Sequence, residues 1–192
     1  MARSGINQEK IILTAAKIAD HKGLNHLNLH ELAKQLGIRP PSLYNHISGI
    51  DGLRRAMMLY AIPLLTKDVT YAVIGLSGIE ALKAFCMAYY SFATHNPGLY
   101  EAMQWWNRAT DKEVEEAFRD FMLVLNKILE PYDLDNEQHQ HVYCLLRGLM
   151  HGFSSIAAFG GFSPDMPLRE NYEWSINVTL QGLIHIIDKR KS

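Results

Sequence analysis

Apolar residues recur at three- and four-residue intervals along nearly the whole chain, while alternating runs bounded by turn pairs, the mark of strands, are missing. The pattern predicts an all-α protein. Five helix starts carry a capping side chain three residues ahead of a reciprocating one: Asn28 with Glu31, Ser48 with Asp51, Ser77 with Glu80, Thr110 with Glu113 and Asp135 with Gln138. Asn96-Pro97 and Pro167 mark two more, because a first-turn N–H has no partner inside its helix and proline loses nothing there. Gly23, Gly37, Pro131 and the Gly160-Gly161 pair supply stops. Nine helices are expected, near 7–22, 28–35, 40–46, 49–71, 78–94, 97–107, 111–129, 136–159 and 168–189. Pro63, inside the fourth, marks either a hinge or an early helix end.

Between Asn28 and Ile47 the pattern is more specific. A capped helix carrying Leu32, Ala33 and Leu36 stops at Gly37, and a second short one starts at Pro40-Pro41, which is helix-turn-helix spacing. Gly37 can take the positive φ that a tight turn between helices needs. Leu43 and Ile47, four apart, anchor the second helix inward and leave Ser42, Tyr44, Asn45 and His46 facing outward. Hydroxyl, amide and imidazole groups in that position suit phosphates and base edges in a major groove. Geometry alone leaves open a helix-turn-helix with no DNA function.

The run from Ile12-Leu13 through Ala15-Ala16, Gly23, Leu27, Leu29 and Leu32-Ala33, then Leu36-Gly37-Ile38, Ser42-Leu43-Tyr44-Asn45-His46-Ile47 and Leu53, resembles the N-terminal domain of the TetR family of repressors over residues 7–60. The resemblance implies a three-helix DNA-binding domain at 1–60, with Pro40, Pro41, Ser42, Tyr44, Asn45 and His46 on the groove-facing surface, His30 within reach of DNA and Arg39 adding a cation at the turn. It implies a ligand-responsive repressor that binds a palindromic operator as a homodimer, with an effector-binding and dimerisation domain at 61–192. The family usually has a phosphate-contacting lysine at the start of the fourth helix, where this chain has Ile50. Arg54 and Arg55, one turn on, are candidate substitutes, as is the helix N-terminus capped by Ser48.

Phe85, Tyr89, Tyr90, Phe92, Tyr100, Trp105 and Trp106, with Met87 and Met103 among them, are dense enough for an apolar effector cavity, with plain core packing as the alternative. Arg147 to Phe153, with the upstream tryptophans, is similar to a TetR subgroup whose C-terminal domain carries a Trp and a His-Gly element. That similarity implies that His151 lies near the cavity, with Trp105 or Trp106. The expected effector set is Phe85, Tyr89, Phe92, Met103, Trp105, Trp106, Tyr143, Arg147 and His151, taking a small hydrophobic or aromatic molecule.

The helix at 136–159 resolves into three faces: Val142, Leu146, Met150 and Phe153; then Leu145, Gly148, Leu149, Gly152 and Ile156; then Tyr143, Arg147, His151 and Ser154. A helix apolar on two sides needs cover on two sides. The last helix confines Glu173, Asn177, Gln181 and Asp188 to a stripe and spreads Trp174, Val178, Leu180, Leu183, Ile184 and Ile187 over the rest. Pairing of both helices across a two-fold axis is expected, with Leu145, Gly148, Leu149, Gly152, Ile156, Val178, Leu183 and Ile187 at the interface.

Composition changes this picture in few places. The net charge of −1 is unlike that of a DNA binder, but through residue 55 eight basic residues stand against four acidic ones, a balance of +4 that leaves −5 for the remainder. Cys86 and Cys144 show no pairing pattern, so two buried thiols in a reducing cytoplasm are expected, and no apolar run long enough for a membrane span occurs. Nucleophile-elbow, zinc-protease, P-loop and dinucleotide motifs are missing, so an enzyme is not expected and no cofactor is implied. His139, His141 and Cys144 are a weak candidate metal set, because only His141 and Cys144 share a helix face. The alternative function is a helical hydrophobic-ligand carrier with weak or lost DNA binding.

Overall fold

A computed structural model describes residues 6–105, 111–158 and 160–191. Among them eight α-helices follow one another: α1 (Gln8–Lys22), α2 (Leu29–Leu36), α3 (Gly49–Val73), α4 (Gly78–His95), α5 (Pro97–Trp105), α6 (Lys112–Leu129), α7 (Asn136–Ala158) and α8 (Leu168–Lys191). Short 3-10 segments occupy Leu24–His26, Pro40–Asn45 and Glu130–Tyr132. Side-chain caps explain where several helices begin. Asn28 Oδ1 accepts from the Glu31 amide at 2.9 Å, and Asp135 and Gln138 exchange bonds of 2.8 and 3.1 Å in a full capping box. Asn7 caps α1 in the same way at 2.9 Å, and Asp111 does so for α6 at 3.3 Å. The expected cap at Thr110 and the expected end of α5 at 107 lie outside the described residues.

The structure adds detail at two places. The segment at 40–46 is a 3-10 helix rather than an α-helix. Pro40 and Pro41 have no N–H to give, so its first bond is from the Ser42 amide to the Arg39 carbonyl, 2.9 Å and three residues back. Nor does Pro63 end a helix: α3 continues through it to Val73.

The described chain forms two compact units, residues up to Leu64 with His95–Phe118, and Leu65–Thr94 with Arg119 onward. In the first, Ile11, Ala15, Leu24, Leu32, Leu43, Leu53 and Met57 form the core. Here α5 packs on α1. Gly98 permits the approach, because a Cβ there would stand 2.6 Å from Ala19 Cβ and 2.8 Å from the Ala16 carbonyl oxygen. Two carboxylates cross this junction: Asp20 Oδ1 accepts from the Gly98 amide at 2.8 Å, and Glu101 Oε2 accepts from the Leu24 amide at 2.7 Å. Gly98→Ala is expected to lower stability by about 1–3 kcal/mol, since the obstacle is backbone and cannot rotate away. Chemical denaturation of the two proteins reads this directly.

The second unit is organised around α4, α6, α7 and α8, with Leu82, Phe85, Cys86, Leu146, Tyr172, Ile176 and Leu180 at its centre. Tyr90 stacks on Tyr172 with ring centroids 4.4 Å apart, Phe153 meets both rings at 5.9 and 5.1 Å, and Phe85 packs on Phe121 at 5.4 Å. The Tyr172 hydroxyl donates to the Cys86 carbonyl at 3.0 Å, which satisfies the one polar group this buried tyrosine brings inside. No described helix is long and apolar enough to cross a membrane.

The two thiols differ, contrary to the expectation that both are buried. Cys86 lies in the core, where burial pushes its thiol up to about 12, whereas Cys144 is exposed on α7. A thiol reagent at neutral pH is expected to label one cysteine per folded chain and two after denaturation, with peptide mapping placing the first at Cys144.

Candidate nucleic-acid interface

The short segment after α2 is a rigid platform for its polar side chains. At the C-terminus of α2, Gly37 takes the left-handed conformation, its amide bonds to the Lys34 carbonyl at 3.2 Å and the Ile38 amide reaches the Ala33 carbonyl at 3.0 Å, the pair of bonds that closes a Schellman turn. Leu43, within the segment, is fully buried, and Ile47, just after it, nearly so, which pins the segment to the core. Pro41, Ser42, Tyr44, Asn45 and His46 are exposed, Pro40 is half-buried, and Tyr44 keeps 62% of its surface in solvent. His30, at the start of α2, and Arg39, just ahead of the segment, are exposed too. Eight of the nine residues read as DNA-facing therefore sit on α2 or on the 39–46 stretch.

Arg54, on α3, is the exception in placement. Its side chain is 15% exposed, its Nη2 donates to the Leu24 carbonyl at 3.3 Å, and its Nη1 lies 3.8 Å from Asp51. Arg55 is also engaged inside the protein, with Nε 2.5 Å and Nη2 3.0 Å from the two Asp111 oxygens and Nη2 2.6 Å from Glu113. The bidentate guanidinium holds the Asp111 carboxyl below the usual carboxylate range and raises its own affinity for the proton. This tie is present at neutral pH and is lost as acid protonates Asp111 below that range. Both guanidinium groups thus have partners within the protein, and Ile50 is half-buried.

The expected effector residues fall in both compact units. Phe85, Tyr89 and Phe92 are buried in the second unit, with Phe85 and Tyr89 packed against Phe121, whereas Met103 is buried in the first. On α7, Arg147 Nη1 bonds the Tyr143 hydroxyl at 2.9 Å along the helix surface, and His151 is half-buried beside Ser155. Trp106 and the Trp105 side chain lie outside the described residues. His139 is half-buried and His141 exposed on α7, and no group of three potential metal ligands comes together among the described residues.

The expected dimer residues separate into two sets. Leu145 and Ile156 are 45% and 46% exposed on α7, with Gly148 exposed and Leu149 and Gly152 half-buried along the same stripe. Val178 is 49% exposed on α8, but Leu183 and Ile187 are buried inside the protomer and line its core. Sequence reasoning passed over Trp174, 67% exposed, and Ile186, 56% exposed, as surface residues of α8. The spacing of Trp174, Val178 and Gly182, four residues apart in turn, was the available signal for the outer stripe.

Relatives place this architecture. A family model described as the tetracyclin repressor-like C-terminal domain matches residues 82–179. The uncharacterized HTH-type transcriptional regulator YobS of Bacillus subtilis is 33% identical over 183 residues, 95% of each chain. An uncharacterized HTH-type transcriptional regulator of Mycobacterium tuberculosis is 31% identical over 149 residues, covering 77% of this chain and 68% of that one. Among solved structures, a TetR variant from Acinetobacter baumannii in complex with minocycline superposes with a TM-score of 0.73 at 12% identity, covering 95% of this chain and 98% of that one. With its helix-turn-helix, its all-α fold and these relatives, the chain belongs to the TetR family of transcriptional regulators.

Proposed function

We propose that the protein is a ligand-responsive repressor that binds a palindromic operator as a homodimer and leaves it when a small molecule binds. Residues 1–60 read the DNA and 61–192 bind the effector and dimerise. The observation that carries this reading is the set of exposed polar side chains Ser42, Tyr44, Asn45 and His46 on a stretch anchored by the buried Leu43 and Ile47. Two such rows about 34–36 Å apart in a dimer fit successive major grooves. The outward apolar stripe of α7 and α8, with Trp174, Val178, Leu145 and Ile156, supports pairing with a second copy, since exposed patches of this kind mark association surfaces. A small hydrophobic or aromatic effector held by the second unit would act by shifting α3, whose residues contribute to both compact units, and so the spacing of the two reading segments. The similarity to the Trp/His-Gly subgroup supports a role for His151 in effector binding.

The second reading, a hydrophobic-ligand carrier with weak or lost DNA binding, is favoured by one observation: the start of α3 presents Ile50 where the family has lysine, with Arg54 and Arg55 bonded to groups of the protein itself. Selection from a random duplex library separates the two. Enrichment of an inverted repeat supports the repressor, and a bound pool no different from the input supports the carrier.

A further inference from the structure

The second unit carries an open groove of about 540 Å³ where the last turns of α3, the first turn of α4 and one side of α6 meet. None of the residues read from the sequence as effector-binding lines it. Its walls are apolar, chiefly Val73, Leu76, Ala81, Leu123, Val124 and Ile128, and its size falls within the range of sites that hold small organic molecules. Leu123 and Leu76 keep 53% and 47% of their surface in solvent, so an occupant would remove substantial apolar area from water.

Two charged side chains line the groove, Asp120 and Lys127. Lys127 is answered within the protein, its Nζ lying 3.0 and 3.3 Å from the two Glu130 oxygens. Asp120 is exposed and has no hydrogen bond or ion pair among the described residues. The Thr70 hydroxyl is used locally, donating to the Thr66 carbonyl at 2.7 Å. The groove thus combines an apolar body with one unanswered negative charge. An anion would meet Asp120 with repulsion, and a neutral apolar molecule would strip water from the carboxylate without replacing it.

We propose that this groove binds a lipophilic organic cation, its apolar groups against Leu123, Val124 and Ile128 and its positive charge facing Asp120. The proposal does not depend on DNA binding, and its test involves no DNA, so the two stand or fall separately. Tetraphenylphosphonium and tetraphenylborate have nearly the same size and shape and opposite charge, which makes them a matched pair of probes. Calorimetric titration of the full chain is expected to show saturable one-to-one binding of tetraphenylphosphonium in preference to the borate. Asp120→Asn should weaken it about two- to fivefold, the range of one exposed ion pair. Leu123→Lys, at an exposed position that folding does not depend on, should weaken it further, and Val124→Trp should fill the groove and remove binding. Equal binding of the two probes, binding unchanged by Asp120→Asn and Leu123→Lys together, or no saturable binding would each overturn the proposal.

Discussion

Arginine in place of Leu145 or Val178 is expected to leave a folded monomer that no longer pairs. Both side chains are about half exposed in the protomer, so the substitution removes nothing from its core and circular dichroism should be unchanged. In the proposed dimer the same positions are covered, and a two-fold axis presents each substitution twice in one interface. Burying an unpaired guanidinium costs several kcal/mol, and each 1.4 kcal/mol is tenfold in the dissociation constant, so a loss of about a hundredfold or more is expected. Sedimentation across a concentration series measures it. Leu183→Ala and Ile187→Ala should behave differently, lowering protomer stability by about 2–5 kcal/mol because those side chains are buried within one chain.

Tyr44→Ala and Asn45→Ala should each weaken operator binding by about 1–3 kcal/mol per chain, or roughly five- to 150-fold at each half-site. Stability should hold, because both side chains are exposed and the anchoring role belongs to Leu43 and Ile47. Fluorescence anisotropy at one fixed salt concentration, with thermal melts alongside, separates the two effects. Arg54→Ala provides the contrast. Its guanidinium bonds the Leu24 carbonyl, so its loss should appear first in the melting temperature and only secondarily in affinity.

The fold was largely legible because its helices announce themselves locally. Asn28 with Glu31 and Asp135 with Gln138 mark starts that need no knowledge of the rest of the chain, and the 3.6-residue period of α7 separated a buried face at Val142, Leu146 and Met150 from an exposed one at Leu145 and Ile156. On α8 the same method failed to choose between sides. Apolar residues surround most of that helix, and only packing against the second unit turns Leu183 and Ile187 inward and Trp174 outward. The winding of 40–45 was missed because it depends on which amides two consecutive prolines remove, a detail that apolar periodicity does not carry.

The candidate sites divide along the same line. The candidate DNA-facing residues from Arg39 to His46 lie together in one stretch of sequence, while the bonds of Arg54 and Arg55 to Leu24 and Asp111 involve partners distant in the chain that local pattern does not show. Aromatic composition between 85 and 106 could not tell a cavity from a core. The stack of Tyr90 on Tyr172 and the packing of Phe85 on Phe121 both depend on partners distant in the chain. The junction of Gly98 with Ala16 and Ala19 is invisible for the same reason, since a glycine in a helix gives no sign of what approaches it.

The most direct test of the central claim is the stoichiometry and salt dependence of binding to the inverted repeat recovered by selection, compared with a scrambled duplex of the same composition. Two chains per repeat, an affinity that falls steeply and log-linearly with salt, and a scrambled duplex bound at least about a thousandfold more weakly are the results expected of an operator-reading dimer. One chain per duplex, or equal affinity for the scrambled sequence, would contradict the account.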